Sequence, residues 1–504
     1  MSSVEAPREA LAILPDSRPG ILVGGTWRAA NGPSAPTFDP STGEVLENVS
    51  AATADDVDEA VRAAAAAQRD WEALGLEGRA AHIRALGELI AREAEALAQL
   101  DALNGGLPIG SARGDVTAVL DAYRDWPGLA LALRGETLPL TSRRLHYTRH
   151  VAYGVVARIV AFNHPFYFTA SGVLAPLLAG NAVVVKVAEQ APLPALAFAE
   201  LARRVLPPGV VSVLTGGAAT GEALVTHPLV RRIAFTGSTP TGLAIQRSAA
   251  SEHVRTVSLE LGGKNPMIVF ADADLEAAVE GALRGSAIAD ATQGQSCGSV
   301  TRLFIHADVH DAFVERLAAL MRDVRVGPAY DDDTQVGPLI SARQLDRVRD
   351  YIAAGTADGA RLVVGGLERD GWPDGGYYVA PTLFDGVTTD MRIAREEIFG
   401  PVLSVLRFNA WDEVVAAANA VDYGLTASVW TRDLETALRT VDALDSGYVW
   451  VNDVGAHYWG TPFGGFKDSG VGREECLQEL ESFLQVKAVH VSLGAADTKE
   501  STWT

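Results

Sequence analysis

The sequence predicts an α/β protein with two successive domains, each a largely parallel sheet wrapped by helices, and a small exposed β ribbon. Three observations predict it. Short β-branched runs alternate with longer Ala- and Leu-rich amphipathic stretches, the pattern of βαβ units. The alternation occurs twice, before and after Pro266, in a chain of 504 residues, longer than one hydrophobic core supports. Residues 140–153, LTSRRLHYTRHVAY, alternate polar and apolar side chains as an exposed strand or hairpin does.

Residues 54–70 and 77–104 carry apolar side chains at three- and four-residue spacing, and acids stand near the start of the first, so both read as helices. Strands follow at GVVARIVAFN (154–163), NAVVVKVAEQ (181–190), VVSVLTGG (210–217) and RRIAFTGS (231–238). Each ends in a polar or glycine-containing turn and gives way to a helical pattern. After Pro266 the order repeats. PMIVFAD leads to helical DLEAAVEGAL, and SVTRLFIHA leads to helical VHDAFVERLAALMRDV. YVAPTLF, PVLSVLRF, LTASVWT and GYVWVND complete the second set of strands. A ribbon such as 140–153 is marginal alone and needs a partner strand.

Composition is that of a globular protein, 48% hydrophobic and 21% charged. The formal net charge of −21 argues against a nucleic-acid or anionic-membrane partner, either of which needs a basic face. Two cysteines build no disulfide framework and suit a reducing compartment, so a cytoplasmic location is expected. The first residues are broken by Pro and charge before any signal-like apolar core develops, and apolar stretches such as VLAPLLAGNAVVV fall short of a membrane span.

No GxGxxG fingerprint, Walker loop, HExxH or CxxC is visible, so no metal site is expected. What remains is a set of polar stretches at the C-terminal ends of strands, where open α/β sheets bind ligands. In FTGSTPTG (235–242), Gly237, Ser238 and Gly242 open a helical pattern that either caps a helix or turns backbone N–H groups toward an anion. Lys186 and Glu189 follow a buried strand, as a surface ion pair or as ribose contacts. Glu260, in SLELGGKNP, sits between leucines, where a carboxylate is either a structural cap or a base with a raised pKa. Cys297, in QGQSCGS, has small polar flanks that pack poorly as core, which leaves an inert thiol and a nucleophile both open. Cys476 shares helical spacing with Leu480 and Phe483 and reads as core.

In order, the chain gives AFNHP, VVVKVAEQAP, FTGSTPTG, LELGGKNP, GQSCGS, EEIFGPV, PFGGFKDSGVGRE and LQVKAV. This series resembles the NAD(P)-dependent aldehyde dehydrogenase superfamily, in its hydrolytic, non-CoA-acylating branch, from about residue 20 to 491. The resemblance implies two doubly wound, Rossmann-like domains. Cys297 becomes the nucleophile, Glu260 the base, Asn163 the oxyanion donor beside the Cys297 N–H, and Glu474 a carboxylate relaying protons from the base. It places Lys186 and Glu189 at the adenosine ribose, Gly237 and Ser238 beside the pyrophosphate, Glu397 at the nicotinamide ribose and Phe399 near the nicotinamide, and counts Phe162 among the cofactor-binding residues. A carboxylate at Glu189 repels a 2′-phosphate, so NAD is favoured over NADP.

The implied reaction takes a small-molecule aldehyde to its acid through a thiohemiacetal and a thioester on Cys297. The substrate tunnel draws on His164, Tyr167, Phe168, Ser171, Ser296, His457, Tyr458 and Trp459, which suits an aromatic or medium-chain apolar aldehyde. A betaine-aldehyde-like or semialdehyde substrate, a CoA-acylating enzyme and an inactive binding or structural homologue are the alternatives. The family pattern implies a cofactor domain over 1–139 and 160–262 and a catalytic domain over 263–480. An oligomerisation ribbon and tail over 140–159 and 481–504 would pair within a homodimer or homotetramer. Three departures stand out: Phe162 where Trp is common, His164 where Phe is frequent, and a longer approach to the nucleophile. The last puts Cys297 37 positions after Glu260, a few more than usual.

Overall fold

A strand covered on both faces must be apolar on both, and Ala182–Lys186 is such a strand. Val183 and Val185 enter one core with the helices Gly75–Arg92 and Leu193–Val205, while Ala182 and Val184 enter another with Ala54–Ala73. A computed structural model describes residues 6–15, 20–138, 144–368 and 371–493. In it the first sheet has eight strands. Its centre is parallel, in the order Val211–Leu214, Ala182–Lys186, Val155–Ile159, Val230–Thr236, Thr256–Glu260. Antiparallel strands close both edges: Ile21–Val23 and Thr26–Arg28 on one side, Gly470–Val471 on the other.

The second sheet has seven strands. Six run parallel, from Thr382–Asp385 through Val402–Phe408, Val300–His306, Asn265–Val269 and Thr426–Trp430 to Tyr448–Val451, and Arg361–Val364 pairs antiparallel at one edge. Met267 and Val269 pack with the helices Leu275–Gly285 and His310–Asp323, and Ile268 packs against Ala342–Ala357 on the other face. Each fully buried valine or isoleucine contributes about 1.5–3 kcal/mol, so continuous β-branched runs stabilise doubly covered sheets strongly.

Arg144–Ala152 pairs antiparallel with Leu484–Ser492 over nine residues each, the partner that the ribbon needs. The ribbon stops at Ala152, because Val155–Ile159, buried at every position, lies inside the eight-stranded sheet. The expected span of 140–159 is therefore too long, and residues 140–143 and 494–504 lie outside the described residues. The expected boundary near 262 is crossed as well, since Gly470–Val471 returns to pair with Thr256–Glu260. Residues 77–104 form two helices, Gly75–Arg92 and Ala94–Gly105, broken at Glu93. The first buries one face, whereas Leu97–Gly105 is buried almost throughout, so the break turns the second helix into the core. Among the described residues no helix is long and apolar enough to cross a membrane.

The acids noted near residue 54 close a capping box. Thr53 Oγ1 accepts from Asp56 N, and Asp56 Oδ2 accepts from Thr53 N at 2.8 Å. The fully buried Asp56 carboxylate also accepts from Arg28 Nη1 (2.7 Å) and Asn31 N (2.9 Å). Asp56→Ala removes the cap and strands these donors, so it should cost about 2–4 kcal/mol and lower the midpoint of urea unfolding.

Candidate active site

Cys297 lies in the loop that feeds the strand Val300–His306. Asn265, at the start of a neighbouring strand, holds that loop: its Nδ2 donates to Cys297 O (2.7 Å) and Ser299 O (2.8 Å), and its Oδ1 accepts from Thr426 N (3.1 Å). Ahead of the cysteine, Ala287, Asp290 and Gln293 take φ of 53°, 56° and 56°. Non-glycine residues rarely adopt that left-handed region. The longer approach to the nucleophile is thus a tight irregular coil whose residues Ala287, Ala289, Asp290 and Ala291 form one wall of a cavity. Cys297 is half-buried in the same wall. Burial, then the charges of Glu260 and Glu397, push its thiol up to about 12.

The cavity measures about 1020 Å³. Cys297, Glu260, Asn163 and Glu474 all line it, with His164, Tyr167, Phe168, Ser171, Ser296, His457 and Trp459. Glu260 ends the strand Thr256–Glu260, is 5% exposed, and has no partner for either carboxylate oxygen. Burial, then the charge of Glu474, raises its carboxyl well above the ordinary range, against the opposing pull of Arg473 and Arg158. Asn163 follows the strand Val155–Ile159. It is buried, and its amide has no hydrogen-bond partner among the described residues, so it is free to donate into the cavity. Glu474 Oε1 accepts from Arg158 Nη1 at 2.6 Å.

The outer walls are aromatic and braced by polar pairs. His164 Nδ1 lies 2.7 Å from Asp115 Oδ2, and its ring packs on Tyr167 (6.1 Å) and Phe168 (5.5 Å). Ser171 Oγ donates to Tyr167 O. Trp459 meets Trp126 edge-on at 6.3 Å. His457 stacks on Tyr448 at 5.8 Å and pairs with Glu475, which raises its pKa although burial opposes this. Tyr458, expected in the tunnel, is 58% exposed and lies outside the cavity wall, because the neighbouring His457 and Trp459 take the inward positions.

Sequence reasoning passed over Asp115, Trp126, Arg158, Asn265, Glu475 and Glu479. Asp115 and Trp126 stand three turns apart on one face of the helix Ile109–Ala130, a periodicity that signals a wall of a site as readily as a core. Arg158 was visible as the lone charge in an otherwise apolar strand run.

The expected cofactor residues sit outside this cavity, at the ends of the first sheet and beside Cys297. Lys186 ends its strand, with burial lowering its pKa against the charge of Glu189. The Glu189 carboxylate lies so close to Gly217 that a Cβ there would stand 2.7 Å from Oε2. Ser238 precedes the helix Thr239–Ala249 and leaves that helix's first N–H groups without a side-chain cap; the Gly237 N–H is spent on Glu260 O (3.0 Å). The stretch starts a helix, and no side chain caps its N-terminus. Glu397 Oε1 accepts from Gly263 N at 3.0 Å, next to a glycine, Gly262, with no room for a Cβ. Phe399 takes φ 63° and meets Phe162 edge-on at 5.6 Å. Gln344 Nε2 fixes that strained turn by donating to Phe399 O at 2.7 Å. Among the described residues no cluster of His, Cys, Asp or Glu could hold a metal ion.

The profile of the aldehyde dehydrogenase family matches residues 27–489. The chain belongs to that family. It is 44% identical to the aldehyde dehydrogenase tropH of Talaromyces stipitatus, over 91% of this chain and 90% of that one. It is 42% identical to a hydroxyisobutyraldehyde dehydrogenase of Mycolicibacterium austroafricanum, over 96% of each. Among solved structures it is similar to the indole-3-acetaldehyde dehydrogenase AldA of P. syringae, in complex with NAD+ and IAA. There the TM-score is 0.92 at 37% identity, covering 97% of this chain and 99% of that one. The two doubly wound domains and the oxidoreductase class follow from this membership.

Asn265 offers a direct check on the anchoring of the nucleophile loop. Asn265→Ala should lower kcat for aldehyde oxidation by roughly 10²-fold while KM changes little, since loosening a reacting group by an ångström costs about that factor.

Proposed function

We propose that this enzyme oxidises an apolar aldehyde, aromatic or of medium chain length, to its carboxylate with NAD+, through a thioester on Cys297. The observation that carries the reading is one cavity shared by a thiol, an unpartnered buried carboxylate and an unengaged amide: Cys297, Glu260 and Asn163.

The Cys297 thiol first gives up its proton to solvent, and the thiolate sulfur then bonds to the aldehyde carbon. The carbonyl oxygen takes up the electron pair, and the Asn163 amide and the Cys297 N–H are the donors available to it; one such donor is worth about 10²–10³ in rate. When bound, the nicotinamide supplies the hydride acceptor that turns the thiohemiacetal into a thioester. Glu260 then takes a proton from water, the water oxygen bonds to the acyl carbon, and the C–S bond breaks to return the thiolate. A base with a pKa raised toward ambient pH suits that step. Lys186 and Glu189 fit the hydroxyls of a ribose, the open N-terminus of Thr239–Ala249 fits a pyrophosphate, and Glu397 beside Gly262 fits the second ribose.

The walls support the substrate class. Trp126, Tyr167, Phe168 and Trp459 offer apolar rings. Arg158 and Arg284 are the lining cations among the described residues, and each is paired, with Glu474 and Asp453. No unpaired cation is therefore offered to the distal carboxylate of a semialdehyde. Retention of Glu260 supports hydrolysis over transfer to CoA.

Cys297→Ala should abolish NADH formation with any aldehyde; an undiminished rate would sink the assignment. Glu260→Gln should form one NADH per active site and then stall, whether or not CoA is added. In a substrate panel, phenyl and medium-chain aldehydes should exceed a semialdehyde of equal length by tenfold or more in kcat/KM. Equal rates would remove the electrostatic part of the argument.

A further inference from the structure

A buried arginine stands among the carboxylates that line the site. Arg158 belongs to the strand Val155–Ile159, is 2% exposed, and donates from Nη1 to Glu474 Oε1 at 2.6 Å. Its Nε is buried with no partner, and the side chain reaches the cavity wall. The fold makes room for it at one residue. A Cβ on Gly172 would lie 2.5 Å from Phe168 O, 2.7 Å from Nε and 3.1 Å from Cζ, so a side chain there crowds both the backbone and the guanidinium.

Around Arg158 stand three acids, Glu260 and Glu479 buried and Glu474 partly so. Neither oxygen of Glu260 is bonded, and Glu479, 7% exposed, accepts from Glu475 N at 2.7 Å. Burial, then the charge of Glu474, raises both carboxyls, Glu479 to about 8, and Arg158 pulls each the other way. The other charged groups facing this cluster are committed elsewhere. Arg232 bonds Ser482 O and Ser258 Oγ, Arg473 bonds Gly465 O and Gly472 O, and Glu475 pairs with His457. Tyr167 adds a phenol on the same wall, held neutral by burial. Arg158 is thus the cation that binds a carboxylate of this cluster.

We propose that Arg158 is a positioning residue for thioester hydrolysis: its guanidinium holds the Glu474 carboxylate at the cavity wall, so that the proton Glu260 takes from water has a placed acceptor. The inference rests on the reading of Cys297 and Glu260 given above. In the proton's path, the water O–H bond breaks, the proton resides on Glu260, and it then passes to Glu474 and from that partly exposed carboxylate to solvent, which restores both groups for the next turnover. Without the cation, Glu260 and Glu479 bind their protons more tightly.

The test compares two rates across about pH 6 to pH 9: first-turnover NADH formation, which reads the steps before the thioester, and decay of the acyl-enzyme, which reads hydrolysis. Arg158→Gln should leave the first rate within about twofold, slow the second by tenfold or more at pH 7, and move its acid limb up by about one unit. Arg158→Lys, which keeps the charge, should recover most of the loss. If Arg158→Gln does not fold, Arg158→Met, which keeps the bulk without the charge, carries the test with the lysine variant, and it should move the limb in the same direction. An unmoved acid limb, or an equal fall in both rates, would overturn the proposal. Failure of the underlying reading looks different: the unmutated enzyme would then form no acyl-enzyme at all.

Discussion

The arrangement depends on a short antiparallel seam between the first sheet and a segment from the end of the chain. Leu259 and Glu260 pair with Val471 and Gly470. Ser469, fully buried, extends the seam: its carbonyl accepts from Leu261 N, its hydroxyl donates to Gly262 O at 2.7 Å, and Gly424 N donates to that hydroxyl at 3.0 Å. Gly470 takes φ 142° and approaches Leu259 O so closely that no Cβ fits. Without the seam, Thr256–Glu260 would be an open edge strand, and an edge leaves backbone groups unpaired and register weakly fixed. With it, the Glu260 backbone is held from both sides, and Glu474, Glu475 and Glu479 are brought over its side chain.

That closure explains the electrostatics of the cavity. Bringing several carboxylates together away from water is costly unless each finds a donor. Most do: Glu474 has Arg158, Glu475 has His457, Asp115 has His164, and Glu479 has a backbone N–H. Glu260 alone among these has both oxygens unbonded. An unpartnered buried carboxylate is a poor structural element and a good base, because its pKa rises toward the pH at which it must take a proton. The surrounding pairs also leave the aromatic walls without a free cation, which fits an uncharged aldehyde.

Much of this was legible in the sequence, for physical reasons that differ by element. The strands at 154–163, 181–190, 210–217 and 231–238 announce themselves because burial on both faces demands unbroken apolar runs. Cys297, Glu260 and Asn163 stand out only as members of an ordered set of motifs, since each alone has a bland structural reading. Hidden features depend on tertiary contact. Nothing in the residue types of Ala287 and Gln293 foretells left-handed backbone, which glycine normally supplies and aspartate, as at Asp290, sometimes adopts. The break at Glu93 follows from how deeply Leu97–Gly105 is buried, and helical periodicity runs through it unmarked. Tyr458 shows the limit of carrying a tunnel over by position, because neighbours on an irregular segment need not face the same way.

The central claim is that Cys297 carries the acyl group and Glu260 governs its release. Acid quenching during turnover with an apolar aldehyde and NAD+, followed by peptide mass spectrometry, tests it most directly. The account predicts an adduct of the acyl mass on the peptide holding Cys297. It should accumulate at low pH, where Glu260 keeps its proton, and fade as pH rises. An unmodified Cys297 throughout turnover, or an acyl group carried on Cys476, would contradict it.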